Sequence, residues 1–254
     1  MNAAAPPRPH APALIIFAKA PEPGRVKTRL TELLTDAEAA ALYEAFLQDS
    51  LAQYAALAER RGAALHLWHA GPAWPSALTP EGVHLHPQRG EGLGARMAAA
   101  FRSAFDDGAP RAFIVGTDHP TLPAAFIEKG LDELGPEGDP EAVCIGPSAD
   151  GGYYLLGMRE YTPQLFEDMA YSHADVFSDT LARIAGTGKT PVVLPAWYDV
   201  DRPSDLRRLA ADLAADLAGS DVPTAPQTRR QVRALLERYP ALRPAGTSAR
   251  GAAA

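Results

Sequence analysis

A chain of 254 residues with 46% hydrophobic and 22% charged residues is long enough for one large domain with a full core, and those values exclude collagen, coiled coil and wholesale disorder. Twenty-four Lys and Arg stand against 31 Asp and Glu, and the formal charge of −7 argues against non-specific binding of a phosphate backbone. The single cysteine, Cys144, excludes an intrachain disulfide and reads as a small buried hydrophobe.

In chain order, residues 1–12 are Ala, Pro and polar, a composition that cannot bury enough apolar surface to offset its ordering entropy, and they read as a tail. They contain no basic n-region, and the first apolar run, Ala13 to Ala18, is far short of the ~20 residues that cross a bilayer, so a cytoplasmic protein with no membrane partner is expected. The run Leu14-Ile15-Ile16-Phe17 predicts a first strand, and residues 36–60, with Leu42, Phe46 and Tyr54 on one face, predict a helix. Leu65-His66-Leu67-Trp68 predicts a second strand, followed by a helix in which Leu93, Met97, Phe101 and Phe105 recur at intervals of four. Further strands are predicted at Phe113-Ile114-Val115, Val143-Cys144-Ile145, Tyr153-Tyr154-Leu155-Leu156 and Val192-Val193-Leu194. Thr228 to Tyr239 reads as a solvated helix docked by Val232, Leu235 and Leu236, and residues 240–254 as a second tail.

Strands alternating with helices imply an α/β domain, residues 13–239, whose mainly parallel sheet is covered on both faces. The Leu14 and Phe113 runs are continuously apolar, as strands at the sheet centre should be. Ligands of such sheets bind beyond the carboxyl ends of the strands, so the residues after each run are the candidates for function.

After the first strand, residues 19–29 carry four cations, Lys19, Arg25, Lys27 and Arg29, and one anion, Glu22. This local excess within an acidic chain points to an anion site, with Gly24 permitting positive φ and close backbone approach. Neither the P-loop pattern nor the Rossmann glycine pattern is present. Asp118, directly after the Phe113 strand, sits where a carboxylate is costly unless it meets a metal ion or strong donors, while Thr121 fits a helix cap before Pro123. His119 reads equally as a residue supporting the site or as a surface histidine.

Asp150-Gly151-Gly152-Tyr153 is either a purely structural hairpin turn or a catalytic segment. In the second reading Asp150 orients or deprotonates an acceptor, and Gly151 and Gly152 present backbone N–H groups to a sugar or phosphate. Asp199 and Asp201 project to the same side of an extended segment, whereas Ser204 and Asp205 read as helix capping. If the fold brings Asp118 beside Asp201, 83 positions away, the pair suits Mg²⁺ or Mn²⁺ against a diphosphate. Arg96, at the start of the glycine-rich helix, is either a phosphate or base ligand or a surface arginine.

The ordered motifs F-A-K-A-P-E-P-G-R-V-K-T-R-L, G-E-G-L-G-A-R-M, G-T-D-H-P-T-L, G-P-S-A-D-G-G-Y-Y-L-L-G-M and W-Y-D-V-D-R-P-S-D-L resemble a bacterial family of GT-A-like transferases over residues 13–212. Members are labelled arsenosugar-biosynthesis-type, or radical-SAM/selenodomain-associated, glycosyltransferases. The Lys19 to Leu30 segment is also similar to phospholactate and phosphoenolpyruvate guanylyltransferases.

The resemblance implies a three-layer α/β/α sandwich of the nucleotide-diphospho-sugar transferase type, with Asp118 and Asp201 as the metal pair and Asp199 adjacent. It implies glycosyl transfer from a nucleotide sugar to a small acceptor, by family context an arsenic- or selenium-linked one. Lys19, Gly24, Arg25, Lys27, Arg29 and Arg96 then serve the nucleotide, and Asp150, Gly151, Gly152 and Tyr153 the acceptor. The alternatives are nucleotidyl transfer from a nucleoside triphosphate to a phosphorylated metabolite or sugar phosphate, and a nucleotide-binding module without catalysis. The chain departs from typical GT-A glycosyltransferases in offering one aspartate, Asp118, where they have D-x-D, and from relatives in carrying Arg202 and Gly92.

Overall fold

The structure, a computed structural model, describes residues 11–71, 73–215 and 225–243. Seven strands form one sheet in the order β3-β2-β1-β4-β6-β5-β7: β1 (Ala13–Lys19), β2 (Ala64–Ala70), β3 (His84–Pro87), β4 (Ala112–Val115), β5 (Ala142–Pro147), β6 (Tyr153–Met158) and β7 (Thr190–Val193). The pairs β1–β2, β1–β4, β2–β3 and β5–β7 are parallel, whereas β6 runs antiparallel to both β4 and β5. The Asp-Gly signal therefore marks a genuine hairpin, β5–β6, inside an otherwise parallel α/β sheet.

Both faces are covered, as expected. On one face Leu14 and Ile16 of β1 pack with α1 (Asp36–Arg61), α3 (Ala124–Glu133), α5 (Pro203–Ala215) and α6 (Pro226–Arg238). On the other, Ile15 and Ile114 pack with Met97, Phe101 and Ala104 of α2 (Gly92–Asp106) and Ile184 of α4 (Val176–Gly186). Alternate residues of β1 thus enter opposite cores, which is why its sequence shows no polar phase. Helix α1 begins with a reciprocal capping box, in which Thr35 Oγ1 accepts from the Glu38 N–H at 3.3 Å and Glu38 Oε2 accepts from the Thr35 N–H at 2.9 Å. Helix α6 docks through Val232 and Leu235, and the Asp49 carboxylate of α1 accepts from the N–H groups of Gln227 and Thr228 at 3.1 and 2.7 Å.

Five expectations require correction. Strand β3 was missed, because His84-Leu85-His86-Pro87 is a short edge strand with Leu85 facing outward. Leu93 does not share the buried face of Met97 and Phe101, since it stands in the first turn of α2 and is 46% exposed. Thr121 does not cap α3, whose N-cap position is Pro123; its hydroxyl lies 3.4 Å from Tyr198 Oη instead. The ordered chain also passes residue 240, because Pro240–Leu242 makes a 3-10 turn that buries Leu242. Nor is Pro12 part of a loose tail, since it is buried and its carbonyl accepts from the Ala64 N–H at 2.8 Å. Residues 1–10 and 244–254 of the expected tails lie outside the described residues, among which no helix is long and apolar enough to cross a membrane.

Candidate active site

The carboxyl ends of β1 and β4 lie side by side at the sheet centre, and the segments leaving them meet the segment before α5. After β1 the chain turns at Gly24, whose φ of 76° any side chain would strain, and Lys27 then adopts a left-handed backbone with φ 47°. This unusual conformation for lysine turns its side chain inward. The Lys27 side chain is only 3% exposed and rests over the rings of Tyr43 and Phe46, with Nζ 5.5 and 5.7 Å from their centroids.

At its tip, Lys27 Nζ donates to Asp118 Oδ1 and, at 2.8 Å, to Asp201 Oδ1. Arg29 Nη1 approaches Asp201 Oδ2 at 3.5 Å. Residues from three distant segments therefore converge on one cation, and the meeting of Asp118 with Asp201 that the spacing left open is realised. Burial alone would lower the lysine's pKa, but the two carboxylates more than offset that penalty and raise it. Asp118 is correspondingly depressed, since Lys27 outweighs the burial that would otherwise raise it.

Backbone contacts lock the aspartates in place. The Val200 N–H donates to the Asp118 carbonyl at 3.0 Å, tying the segment before α5 to the end of β4. Val200 is buried in the core while its neighbours Asp199 and Asp201 face the site, as expected of an extended segment. Asp205 caps α5 as anticipated: its Oδ2 accepts from the N–H groups of Asp201 and Arg202 at 3.1 and 2.8 Å, so the cap also fixes the backbone that carries Asp201. The Gly116 N–H donates to the Tyr154 carbonyl, and the Gly116 carbonyl accepts from Tyr54 Oη, each at 3.0 Å.

Asp199 belongs to a neighbouring cluster rather than to the Lys27 pair. Its Oδ1 lies 3.0 Å from His119 Nδ1 and accepts from the Ser148 hydroxyl. His119 is buried against Asp199 and is therefore not a surface histidine. Burial would depress its pKa, but Asp199 reverses the shift and raises it, while His119 in turn holds Asp199 low against its own burial. Asp150 stands at the rim, where partial burial and the repulsion of Asp199 raise its carboxyl, partly opposed by the Gly152 N–H donated to Oδ1 at 2.9 Å.

Several expected ligands are occupied elsewhere. Gly151 and Gly152 offer no free N–H groups, since the first donates to the Ser148 carbonyl at 3.1 Å and the second to Asp150. The need for glycine at position 151 comes from packing instead: with φ 92°, its missing Cβ leaves room for the Ala174 carbonyl oxygen. Tyr153 points into the α2 side of the sheet, its hydroxyl 3.8 Å from Met97 Sδ, on the opposite face from Tyr43. Arg25 is an exposed partner of Glu22 at 3.2 Å, and Arg96 donates from Nε to the Gly90 carbonyl at 3.2 Å. Lys19 is exposed at the end of β1, and its contact with the site is through its backbone, whose N–H donates to Tyr43 Oη at 3.1 Å. Of the four cations in the first loop, Lys27 and Arg29 reach the aspartates. The hydroxyl of Tyr43 is 2.9 Å from Thr117 Oγ1 and so ties the Lys19 backbone to the Thr117 side chain, but a tyrosine on an apolar helix face gives no sign of this in sequence.

Whether Asp118 and Asp201 could hold a divalent ion is answered by what they already do. Two carboxylates converge on one buried ammonium, so the position is electrostatically built for a cation and offers hard oxygen donors. Among the described residues no group of three or more His, Cys, Asp and Glu is arranged to hold a metal. The pair therefore fits an ion such as Mg²⁺ that keeps waters and takes substrate oxygens, not one enclosed by protein ligands alone.

Comparison with known proteins agrees with this architecture. Residues 52–173 match the family described as "Uncharacterized protein conserved in bacteria (DUF2064)". A crystal structure from Desulfovibrio desulfuricans G20, named "putative nucleotide-diphospho-sugar transferase", is 33% identical, with a TM-score of 0.77 covering 90% of this chain and 97% of that one. A cytidylyltransferase from Leptospira borgpetersenii is 11% identical with a TM-score of 0.50, covering 95% of this chain and 100% of that one, a likeness of fold. No curated protein matches the chain.

Proposed function

The chain belongs to the DUF2064 family of bacterial proteins and has a nucleotide-diphospho-sugar transferase fold, and we propose that it is a metal-dependent glycosyltransferase moving a sugar from a nucleoside-diphosphate sugar to a small acceptor. The observation that carries this reading is the convergence of Asp118 and Asp201 on one cation beside Arg29, at the end of the sheet where ligands of such folds bind.

In this reading Asp118 and Asp201 hold Mg²⁺ or Mn²⁺, which supplies Lewis-acid neutralisation of the departing diphosphate. Lys27, released from the two carboxylates when they hold the ion, and Arg29 bind phosphate oxygens, with Lys19, Arg25 and Arg96 at the periphery, and Gly24 gives the first loop its turn. Asp150 receives the proton of the acceptor hydroxyl, a task suited to a carboxyl raised above its usual range at an accessible rim. His119, through Asp199 and Ser148, holds the wall between Asp150 and the Lys27 pair. The acceptor class implied by the family resemblance alone is an arsenic- or selenium-linked metabolite.

A second reading, nucleotidyl transfer from a nucleoside triphosphate to a phosphorylated metabolite or sugar phosphate, is favoured by one observation. The strand β4 is followed by a single aspartate in Asp118-His119-Pro120 rather than D-x-D. Incubating the purified protein and Mn²⁺ with pooled nucleotide sugars, and separately with nucleoside triphosphates, plus candidate acceptors separates the two. Nucleoside diphosphate release supports glycosyl transfer; pyrophosphate release supports nucleotidyl transfer; nucleotide binding without turnover marks a non-catalytic module and overturns both.

A further inference from the structure

At the opposite end of the sheet from Asp118, the antiparallel ladder of β4 and β6 closes with Ala112 opposite Met158. One step further out, Arg111 and Arg159 therefore face each other across the two strands. Directly opposed residues on such a ladder have Cβ atoms about 4.5–5.5 Å apart, and like charges there are destabilising. Arg61, the last residue of α1, adds a third guanidinium, because the Arg111 carbonyl pairs with the Ala13 N–H and Pro12 in turn with Ala64, just beyond the end of α1.

The three are not equally satisfied. Arg61 pairs with Asp132 through Nη2. Arg159 Nη1 donates to the carbonyls of Gly135 and Gly138 at 2.9 and 3.0 Å, and the nearby Asp139 carboxylate is spent on the Glu141 N–H at 2.9 Å. Arg111 is the one left over: its Nε is buried with no hydrogen-bond partner among the described residues. A buried guanidinium N–H without an acceptor costs of the order of 1–3 kcal/mol, and here it is combined with a like charge directly opposite. Burial, followed by Arg159 and Arg61, lowers the Arg111 pKa, while Asp132 opposes the shift. Arg111 follows the exposed turn at the end of α2.

We propose that Arg111, flanked by Arg159 and Arg61, forms a binding site for a phosphoryl oxyanion at the amino end of β4, separate from the candidate active site. The guanidinium fork suits a phosphoryl group, since it offers parallel N–H donors to two oxygens at once and its neighbours supply the remaining charge. The strand between the two sites separates them by on the order of 15 Å. Free inorganic phosphate and the terminal phosphoryl group of a nucleotide share this chemistry.

The test is calorimetric titration and thermal unfolding of the full chain in phosphate-free buffer at constant ionic strength, with inorganic phosphate in one arm and adenosine triphosphate in the other. Wild type is compared with Arg111→Gln, Arg111→Lys and, as a control for loss of one surface charge, Arg233→Gln on α6. Expected is phosphate binding that weakens at least tenfold in Arg111→Gln, is partly retained in Arg111→Lys, and is unchanged in Arg233→Gln. Without phosphate, Arg111→Gln should melt no lower than wild type, because a repulsive charge has been removed. An adenosine triphosphate response that exceeds the phosphate response and still depends on Arg111 identifies the nucleotide as the source; equal responses identify free phosphate. The proposal is overturned if wild type binds neither probe, if binding survives Arg111→Gln unchanged, or if Arg233→Gln weakens it as much as Arg111→Gln does. Should Arg111→Gln fail to fold, Arg159→Gln and Arg111→Lys must still show the graded loss, and unchanged affinity in both overturns it.

Discussion

Replacing Lys27 by methionine keeps the length of the side chain and its contact with Tyr43 and Phe46 while removing the charge that Asp118 and Asp201 share. Breaking a buried ion pair by deleting one partner typically costs about 3–5 kcal/mol. Here the Asp118 and Asp201 side chains remain 45% and 33% exposed, so water rehydrates them and the cost falls to roughly 2–3 kcal/mol. The left-handed backbone at position 27 strains lysine and methionine alike and so drops out of the comparison. The two carboxylates then repel each other, which makes the variant more responsive than wild type to a divalent cation: at 10–100 times the dissociation constant, Mg²⁺ should return about 1.4–2.7 kcal/mol. Urea unfolding of both proteins followed by circular dichroism, with and without Mg²⁺ or Mn²⁺, measures both quantities. A variant within 0.5 kcal/mol (the ordinary range of a surface change) or one indifferent to divalent ions would refute the view of Asp118 and Asp201 as a shared cation site.

Asp118→Asn should cost about 1–2 kcal/mol, because Lys27 keeps Asp201, and should abolish turnover in the diphosphate-release assay; full activity would remove Asp118 from the site. Gly151→Ala, at φ 92° and against the Ala174 carbonyl, should destabilise by roughly 2–4 kcal/mol, and an unchanged melting temperature would contradict the packing described for the hairpin. Burial, with His84 and His86 adding to it, pushes His66 down to about 3. Between pH 6.5 and 3 the unfolded chain therefore takes up a proton that the folded chain refuses, and His66 removes stability as pH falls through that window, by at most about 1.4 kcal/mol per pH unit. His66→Gln should flatten the pH dependence of unfolding between pH 6 and 4, and identical slopes would show that His66 titrates normally. Burial raises the Cys144 thiol to about 12, so iodoacetamide at pH 8 should label it only after unfolding; rapid labelling of the native protein would show that the β5 core opens.

What could be read from sequence follows from how locally each feature is determined. Strands β1 and β4 announce themselves because both their faces are buried, and the β5–β6 hairpin because Asp150-Gly151 closes a turn that few residue pairs allow. Strand β3 gave no such signal, since an edge strand four residues long gains its hydrogen bonds from β2 and not from any pattern of its own. Gly151 and Gly152 fit two readings. Glycine next to a candidate site suggests approach by a ligand, but the same residue type also answers to a neighbouring carbonyl, and only the packing of residue 174 tells the two apart.

The site divides along the same line. Asp118 and Asp201 were recognisable because a carboxylate at the end of a buried strand, or in an alternating acidic segment before a helix, needs a cation from somewhere. Which cation answers is not a property of composition. Lys19, Arg25, Lys27 and Arg29 are equivalent in a count of charge, and the left-handed turn at Lys27 together with the apolar floor of Tyr43 and Phe46 selects one of them for burial. That floor belongs to α1, where the periodicity shows only core. An ammonium placed there is worth its desolvation only if two carboxylates arrive from β4 and from the segment before α5, and the Val200 to Asp118 hydrogen bond and the Asp205 cap are what bring them. The catalytic hypothesis therefore depends on backbone contacts at Val200 and Asp205, neither of which carries any chemistry of its own.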